Sequence, residues 1–225
     1  MISLDKKVRI DICQKHIEHG VIIIDIASTY IENTVIIGKG TVVYPNNYIE
    51  GETVIGKDCI IGPNNRIINT VIANEVNIQS SYIIDSQIGD KCEIGPFAHI
   101  RPNNVLNNSV KVGAFVELKN SNIDNETHVA HLTYIGDADI GKKVNFGCGT
   151  TIANYNGIEK NRCVIEDKCF IGCNTNLISP VTLKEATYTA AGTTVTKDTK
   201  EYSLIIGRPE EIMIEGWAKG KYKNQ

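Results

Sequence analysis

The sequence predicts an all-β fold, a parallel β-helix assembled from six-residue repeats, with a short N-terminal helix and a C-terminal extension. The 225-residue chain contains 36 Ile and 17 Val but only 7 Leu, and β-branched residues favour strands over helices. Aliphatic residues also recur every six positions through long tracts, which is the mark of a hexapeptide repeat. Glycine often follows them, as in Ile55-Gly56 and Ile61-Gly62. We interpret these glycines as bends of the chain, which a residue without a Cβ adopts more easily.

Residues 1–25 are predicted to form an N-terminal helix and a linker. Their main part reads LDKKVRIDICQKHIEH, which lacks the six-residue period and carries mixed charge. Val8, Ile12 and Ile17 would lie on one side of a helix, and Gly20 is a suitable place for that helix to end.

Residues 26–203 are predicted to form the β-helix. Three repeats close one triangular coil of about 18 residues, and coils stack as parallel strands, giving about nine coils over about 40 Å. A β-sandwich would instead show a period of two, with a turn after roughly every ten residues. The predicted inward-facing positions are Ile37, Val43, Ile49, Ile55, Ile61, Ile67, Ile72, Ile78, Ile84, Ile88, Ile94, Ile100, Leu106, Val112, Leu118, Ile123, Val129, Ile135, Ile140, Phe146, Ile152, Ile165, Ile171, Leu177, Leu183, Thr189 and Val195.

One interruption of the period predicts a protruding loop. The step from Ile152 to Ile165 is one residue longer than two repeats, and the Asn156-Gly157 turn signal lies between them.

The C-terminal extension covers residues 204–225. Gly207-Arg208-Pro209 ends the β-helix, and Glu210 to Lys219 are predicted to form a short helix that carries Trp217.

Composition excludes several classes of function. The formal charge is −3 and 22% of the residues are charged, without a long basic run, which argues against nucleic-acid and membrane-surface binding. No apolar stretch approaches the roughly 20 residues of a membrane span, and no secretory signal is recognisable, so we expect a cytoplasmic chain. The 7 cysteines are an odd number without a C-x-x-C pair, which predicts reduced thiols rather than a disulfide framework or a zinc knuckle.

Two basic residues are candidates for binding an anion. Arg101 and Lys119 are separated by three repeats, which is one full coil, so they should lie on one face about 5 Å apart. Like charges at that distance repel each other unless an anion lies between them, and a phosphate would meet this need. The alternative is that both are solvated surface cations.

His131 is a candidate general base. It lies in the segment from Ala130 to Tyr134, and an imidazole near neutral pH can take a proton from an attacking amine. The alternative is an exposed or packed histidine. His128 is only three residues away in a chain that is not helical there, so joint metal ligation has no ready geometry.

Six segments indicate a family. They are FAHIRP from Phe97, VELK from Val116, AHLTYIGDADIG from Ala130, VNFG from Val144, ANYNG from Ala153 and AAGTTV from Ala190. These segments closely resemble the C-terminal acetyltransferase domain of the bacterial bifunctional GlmU family, and the likeness extends from about residue 6 to Trp217. The resemblance implies a left-handed β-helix, a homotrimer with sites between subunits, and acetyl transfer from acetyl-CoA to glucosamine 1-phosphate in UDP-N-acetylglucosamine biosynthesis, without a metal.

The resemblance also implies roles for individual residues. His131 corresponds to the general base, and Glu117 to a carboxylate that orients it. The residues that match the sugar-phosphate site are Arg101, Lys119, Tyr134, Asn145 and Lys160. The residues that match the acetyl-CoA site are Cys148, Asn154, Tyr155, Cys173, Ala191 and Arg208.

The chain departs from the family pattern at three positions in or beside the predicted acetyl-CoA site. Cys148 and Cys173 stand where a small residue and Ser are expected, and Asn156 replaces the usual Asp. A thiol is a poorer hydrogen-bond donor than a hydroxyl, so Cys173 is expected to weaken acetyl-CoA binding. No Gly-rich nucleotide-binding segment precedes the β-helix in this sequence, and we therefore expect no uridyltransferase half.

Three other functions are compatible with the sequence alone. The acceptor could be another amino sugar. The chain could be a sugar-phosphate-binding scaffold without turnover, although His131 is intact. It could also be a metalloenzyme of the γ-carbonic anhydrase kind with His99, His128 and His131 as zinc ligands, whose order and spacing match that family poorly.

Overall fold

The computed structural model describes residues 5–219 and residue 221. Among these residues it contains one helix, Lys6–Glu18, and 30 short strands in three parallel sheets. The sheets form a left-handed parallel β-helix of about ten turns, which confirms the predicted fold class.

Each sheet is one side of the prism. The first has 11 strands: Ile22–Ile23, Val42–Val43, Ile60–Ile61, Asn77–Ile78, Glu93–Ile94, Lys111–Ala114, His128–His131, Asn145–Phe146, Phe170–Ile171, Tyr188–Thr189 and Leu204–Ile205. The second has 10: Tyr30–Ile31, Tyr48–Glu50, Arg66–Ile68, Tyr82–Ile84, His99–Ile100, Glu117–Lys119, Tyr134–Gly136, Thr151–Ala153, Asn176–Ile178 and Thr194–Val195. The third has 9: Ile36–Ile37, Val54–Ile55, Val71–Ile72, Gln87–Ile88, Val105–Leu106, Asn122–Ile123, Ala138–Ile140, Cys163–Ile165 and Val181–Leu183.

The predicted inward-facing residues form the core, with one correction. All of them are buried except Ile84, whose place is taken by Ile83. The reason is a short coil, since Asn77 pairs with Glu93, which falls two residues short of three full repeats. The period contracts there, and a strict count of six therefore runs one residue too far.

The glycines that follow the aliphatic residues have a different role from the predicted one. A Cβ on Gly38 would lie 2.5 Å from the carbonyl oxygen of Gly56 on the next coil, and neither residue has a positive φ. Close stacking of coils, rather than a bend, therefore requires these glycines, except Gly95, whose φ of 98° fits the predicted bend. The bends with positive φ fall mostly on other residues, such as Asn103 and Asn120.

The helix closes the N-terminal end of the β-helix. The Asp5 carboxylate accepts hydrogen bonds from the N–H groups of Lys7 and Val8, at 2.8 and 3.1 Å, and so caps the helix. Its buried residues are Ile12 and Cys13. Val8, which was predicted to lie on the packed side, is 44% exposed.

The two other irregular segments had different outcomes. The loop between Ala153 and Cys163 interrupts the coils where it was predicted. The predicted helix from Glu210 to Lys219 is wrong, because this segment consists of coil and turns. The apolar side chains of Ile212 and Trp217 are exposed, so nothing in the described chain packs against a helix there.

Candidate active site

Four predicted site residues form one column at the end of the first sheet's strands. His128–His131 pairs with Asn145–Phe146, which pairs with Phe170–Ile171, which in turn pairs with Tyr188–Thr189. Continued past the strand ends, this register aligns His131, Cys148, Cys173 and Ala191 on consecutive coils about 4.8 Å apart. We call these four residues the His131 column.

Hydrogen bonds support this alignment. The N–H of Asn174 donates to the carbonyl oxygen of Cys148 at 2.8 Å, which joins the two thiol-bearing coils. The Arg208 guanidinium donates to the carbonyl oxygen of Ala191. Arg208, a predicted acetyl-CoA residue that follows the last strand, is thereby held at the end of the His131 column.

The column presents its functional groups to solvent. His131 and Cys173 are exposed and Cys148 is half-buried. Within the described chain, the imidazole of His131 makes no hydrogen bond, and the N–H of Cys148 donates none. An imidazole and a backbone donor on neighbouring coils can accept a proton and stabilise an oxyanion, respectively.

An apolar corner lies beside His131. Phe97, Phe115 and Leu132 are exposed, all three have positive φ, and the two phenyl rings stack with centroids 5.3 Å apart. Large apolar residues clustered on a surface favour a further binding partner.

A second group of predicted residues lies at the corner between the second and third sheets. Arg101 and Lys119 occupy adjacent coils, as expected, since the N–H of Arg101 donates to the carbonyl oxygen of Leu118 at 2.9 Å. Their repulsion is offset by carboxylates, because Arg101 pairs with Glu117 at 2.9 Å and Lys119 with Asp137 at 3.0 Å.

Lys160 of the loop adds a third cation to this corner. Its amine contacts that of Lys119, and the ion pair to Asp137 keeps the pKa of Lys119 raised beside this second cation. The neighbouring Lys119 charge lowers the pKa of Lys160. We call Arg101, Lys119 and Lys160 the cation cluster. With two carboxylates beside it, the cluster has one positive charge in excess, which favours an anion.

Asp137 organises this corner, and its role was not recognised in the sequence. Its carboxylate, 9% exposed, accepts hydrogen bonds from Lys119 at 3.0 and 3.2 Å, from Asn120 at 2.6 Å and from Asn154. Burial alone would raise the pKa of Asp137, but the hydrogen bonds from Asn120, Lys119 and Asn154 lower it below its usual value. The residue therefore stays ionised and links a predicted sugar-phosphate residue to a predicted acetyl-CoA residue.

Tyr134 lies across the face of the second sheet toward this corner. Its hydroxyl is 3.5 Å from the side-chain nitrogen of Asn154. Gly136 makes this possible, because a Cβ there would clash with the Tyr134 hydroxyl and lie 2.7 Å from the Asn154 nitrogen. Glycine at 136 is thus required for the position of two predicted site residues.

The loop that carries Tyr155 and Lys160 is held by its own contacts. These two residues form an antiparallel bridge, and the Tyr155 hydroxyl donates to the carbonyl oxygen of Gly157 at 2.7 Å. Asn156 provides a further contact, because its side-chain oxygen accepts from the N–H groups of Ile158 and Glu159. An Asn can therefore satisfy the turn where the family has Asp.

The positions of Glu117 and Asn145 do not by themselves support the roles predicted for them. The Glu117 carboxylate contacts Arg101, and no contact with His131 is present in the described chain. Asn145 pairs in register with His128, at the opposite end of the strand from His131. The predicted roles of Glu117 and Asn145 stay predictions.

The three histidines considered as zinc ligands lie on two different sheets. His99, on the second sheet, stacks against Tyr82 with ring centroids 5.4 Å apart. His128 and His131 are on the first sheet. In the part of the chain that the structure describes, no group of three or more His, Cys, Asp or Glu side chains is arranged to hold a metal ion.

Comparison with known proteins places these residues in context. The family model of the GMPPB C-terminal domain matches residues 30–112. Bifunctional protein GlmU of Clostridium perfringens is 53% identical over 221 residues, which is 98% of this chain and 49% of that protein. The GlmU of Acetivibrio thermocellus is 49% identical over 93% of this chain and 46% of its own length. These matches confirm the predicted resemblance to the C-terminal acetyltransferase domain of GlmU.

The chain spans about half the length of the GlmU proteins that it matches. Among solved structures, a UDP-N-acetylglucosamine acyltransferase of Francisella novicida matches with a TM-score of 0.43 and 18% identity, covering 79% of this chain and 64% of that one. That likeness is too distant to bear on function. None of the described helical residues forms a helix long and apolar enough to cross a membrane.

Proposed function

We propose that this chain is a glucosamine-1-phosphate N-acetyltransferase, which transfers the acetyl group of acetyl-CoA to the amine of the sugar in UDP-N-acetylglucosamine biosynthesis. The observation that supports it most is the His131 column. It aligns the predicted base with three predicted acetyl-CoA residues, and Arg208 lies at its end. The similarity to GlmU proteins over nearly the whole chain supports the same activity.

In the proposed reaction, His131 takes a proton from the amine of glucosamine 1-phosphate as the nitrogen attacks the thioester carbonyl carbon. The carbonyl oxygen becomes an oxyanion, which the N–H of Cys148 stabilises. The tetrahedral intermediate then collapses, the C–S bond breaks, and the CoA thiolate leaves with a proton. The reaction requires a base and an oxyanion donor, and we expect it to proceed without added metal.

The cation cluster is the proposed site for the sugar phosphate. Its excess positive charge attracts a dianion, and the guanidinium of Arg101 can bind two phosphate oxygens at once. Arg101 would then exchange part of its interaction with Glu117 for one with the phosphate. This exchange allows the Glu117 carboxylate to turn elsewhere in the bound state. Tyr134, with its hydroxyl beside Asn154, would lie under the sugar.

The proposed site is shared between subunits of a homotrimer. A flat prism face covers a ligand on one side only, whereas binding sites usually enclose most of the ligand surface. The exposed corner of Phe97, Phe115 and Leu132 beside His131 supports a neighbouring chain at this position. We also propose a cytoplasmic location, where the two accessible thiols would be kept reduced.

The experiment that tests this function is a coupled measurement of products. The protein is incubated with acetyl-CoA and glucosamine 1-phosphate, free CoA thiol is followed over a protein-only blank, and N-acetylated sugar is identified by mass. Glucosamine and glucosamine 6-phosphate serve as control acceptors. We expect turnover with glucosamine 1-phosphate, with or without a chelator. Faster turnover of another acceptor would change the substrate, and loss of activity with a chelator, restored by zinc, would contradict the metal-free reaction. Binding of the sugar phosphate without turnover would indicate a scaffold.

A further inference from the structure

The 7 cysteines of this chain fall into two classes. Five are buried, and burial raises the pKa of each of their thiols, to about 11 for Cys92 and Cys169 and to about 12 for Cys163. Thiolate is the reactive form, so these five are poor nucleophiles. Only Cys148 and Cys173 are accessible, half-buried and exposed, respectively.

The two accessible cysteines are neighbours on consecutive coils. The register of Phe146 with Ile171, continued by two residues, aligns Cys148 with Cys173. The Asn174 N–H bond to the Cys148 carbonyl at 2.8 Å supports this alignment. The stacking distance of about 4.8 Å between aligned Cα atoms lies within the range of about 4.4 to 6.8 Å that disulfides span.

The backbone around the pair is matched on the two coils. Gly149 follows Cys148 with φ 76°, and Asn174 follows Cys173 with φ 54°, so both cysteines precede the same left-handed corner. A Cβ on Gly147 would lie 2.5 Å from the nitrogen of Cys173, which shows how closely the coils approach here. No other two of the seven cysteines occupy aligned positions on adjacent coils.

We propose that Cys148 and Cys173 form a reversible oxidation site, a dithiol that closes to a disulfide under peroxide and thereby switches off acetyl transfer. The location of the effect rests on the proposed function, because the pair lies in the His131 column between the base and Ala191. Oxidation therefore alters the surface along which acetyl-CoA is proposed to bind, while the five buried thiols are left unchanged.

The chemistry balances with hydrogen peroxide as the oxidant. The thiolate of one cysteine attacks a peroxide oxygen, the O–O bond breaks, and a sulfenic acid and hydroxide form. The second thiolate attacks the sulfenic sulfur and expels hydroxide, giving the disulfide. The two sulfurs together lose two electrons to the peroxide, and the two thiol protons leave in two molecules of water. A small thiol reverses the reaction by exchange.

The modification is tested first without any activity measurement. The intact protein is treated with a small excess of hydrogen peroxide, denatured, alkylated and analysed by mass. We expect a loss of about two mass units, alkylation of five cysteines instead of seven, and a cross-linked peptide pair that contains Cys148 and Cys173. Reducing agent should restore seven alkylated cysteines. Two free thiols at these positions, a link to any other cysteine, or a link between two chains on a non-reducing gel would each overturn the proposal.

Matched variants then test the switch. Peroxide should lower acetyl transfer by at least tenfold in the unaltered protein, with recovery on reduction. The Cys148→Ala and Cys173→Ala variants, each compared with its own untreated activity, should form no cross-link, and the double variant should keep its rate under the same dose. Saturating acetyl-CoA should slow the cross-link severalfold. A disulfide that forms without loss of rate would refute the switch. A chain that forms the disulfide but never transfers acetyl groups would refute the proposed function and leave the oxidation site intact.

Discussion

Replacing Asp137 by Asn is expected to destabilise this chain by about 3 kcal/mol at neutral pH. The Asp137 and Lys119 side chains are only 9% and 16% exposed, and the carboxylate also accepts bonds from Asn120 and Asn154. A charged hydrogen bond contributes about 1.5 to 3 kcal/mol, and a single amide oxygen cannot satisfy three donors. Breaking a buried ion pair from one side costs about 3 to 5 kcal/mol, and we take the lower end because the corner borders solvent.

Asp139 provides a matched control two residues away. It pairs with Arg162, and these side chains are 43% and 39% exposed. Exposed ion pairs contribute about 0 to 1 kcal/mol because water screens them. The same Asp→Asn change at Asp139 should therefore cost no more than about 1 kcal/mol. The contrast isolates burial, since charge, residue type and position along the β-helix are nearly the same.

The contribution of the Asp137 carboxylate to the free energy of unfolding should decrease as the pH falls. Its pKa in the folded chain is lowered, because the donors from Asn120, Lys119 and Asn154 outweigh the effect of burial. A group with a lowered folded pKa stabilises the fold fully above its unfolded pKa, near 3.9, and loses this contribution as pH falls through the folded value. The difference in free energy of unfolding between the unaltered protein and Asp137→Asn should have its largest value above about pH 5 and should shrink in more acid solution.

The measurement is urea unfolding followed by far-ultraviolet circular dichroism, at one protein concentration and at several pH values from 7 to 3. We expect the midpoint to shift strongly for Asp137→Asn and little for Asp139→Asn, with the first shift shrinking at low pH. Equal shifts for the two variants would show that burial of the pair is not the source. A shift that does not change with pH would show that the charge is not the source.

Three further predictions concern the proposed reaction. His131→Ala should lower kcat about 10²- to 10⁴-fold with an unchanged circular dichroism spectrum, and a fully active variant would leave the mechanism without its base. Arg101→Ala should raise KM for glucosamine 1-phosphate more than KM for acetyl-CoA, by the equivalent of about 1.5 to 3 kcal/mol, and an effect on acetyl-CoA alone would contradict the cation cluster. Trimers carrying only His131→Ala or only Arg208→Ala should be nearly inactive, whereas randomly mixed trimers should recover about a quarter of the sites if the two residues come from adjacent chains. No recovery after subunit exchange is verified by native mass spectrometry would place both residues in one chain.

Much of the fold could be predicted because each coil repeats one physical requirement, an aliphatic side chain pointing inward every sixth residue. The prediction was wrong where that requirement weakens. A coil can lose a residue without losing its core, so the position of Ile84 could not be fixed by counting, and Ile83 is buried instead. The Glu210–Lys219 segment has residues that favour a helix, but a helix needs a surface to pack on, and a sequence pattern does not reveal whether one is available.

The site was predictable to the extent that it depends on register. A separation of three repeats correctly aligned Arg101 with Lys119, because backbone pairing fixes that relation. Which carboxylate reaches each cation depends on side-chain conformation, and spacing does not determine it. Asp137 illustrates the limit: it lies inside the longest family-like segment, but its importance comes from Asn120 and Asn154, which only the folded coils bring to it. Asp137 also has a positive φ of 52° at this corner.

The positions of the His131 column and the cation cluster explain why we propose a site that is shared between subunits. His131 lies beside the corner at Leu132 and the cation cluster beside the corner at Asp137, so one strand of the second sheet, at most about 17 Å from corner to corner, separates them. Tyr134 lies on this strand, between the two groups in the chain. A small sugar phosphate on that face can be approached by both, but its opposite side would face water. Acetyl transfer gains from holding the reacting atoms about 3 to 3.5 Å apart, which requires contacts on both sides of the ligand. Because a convex prism does not supply the second side, the proposed homotrimer would supply it from a neighbouring chain, whose Arg208, held against its own Ala191, would line the same groove.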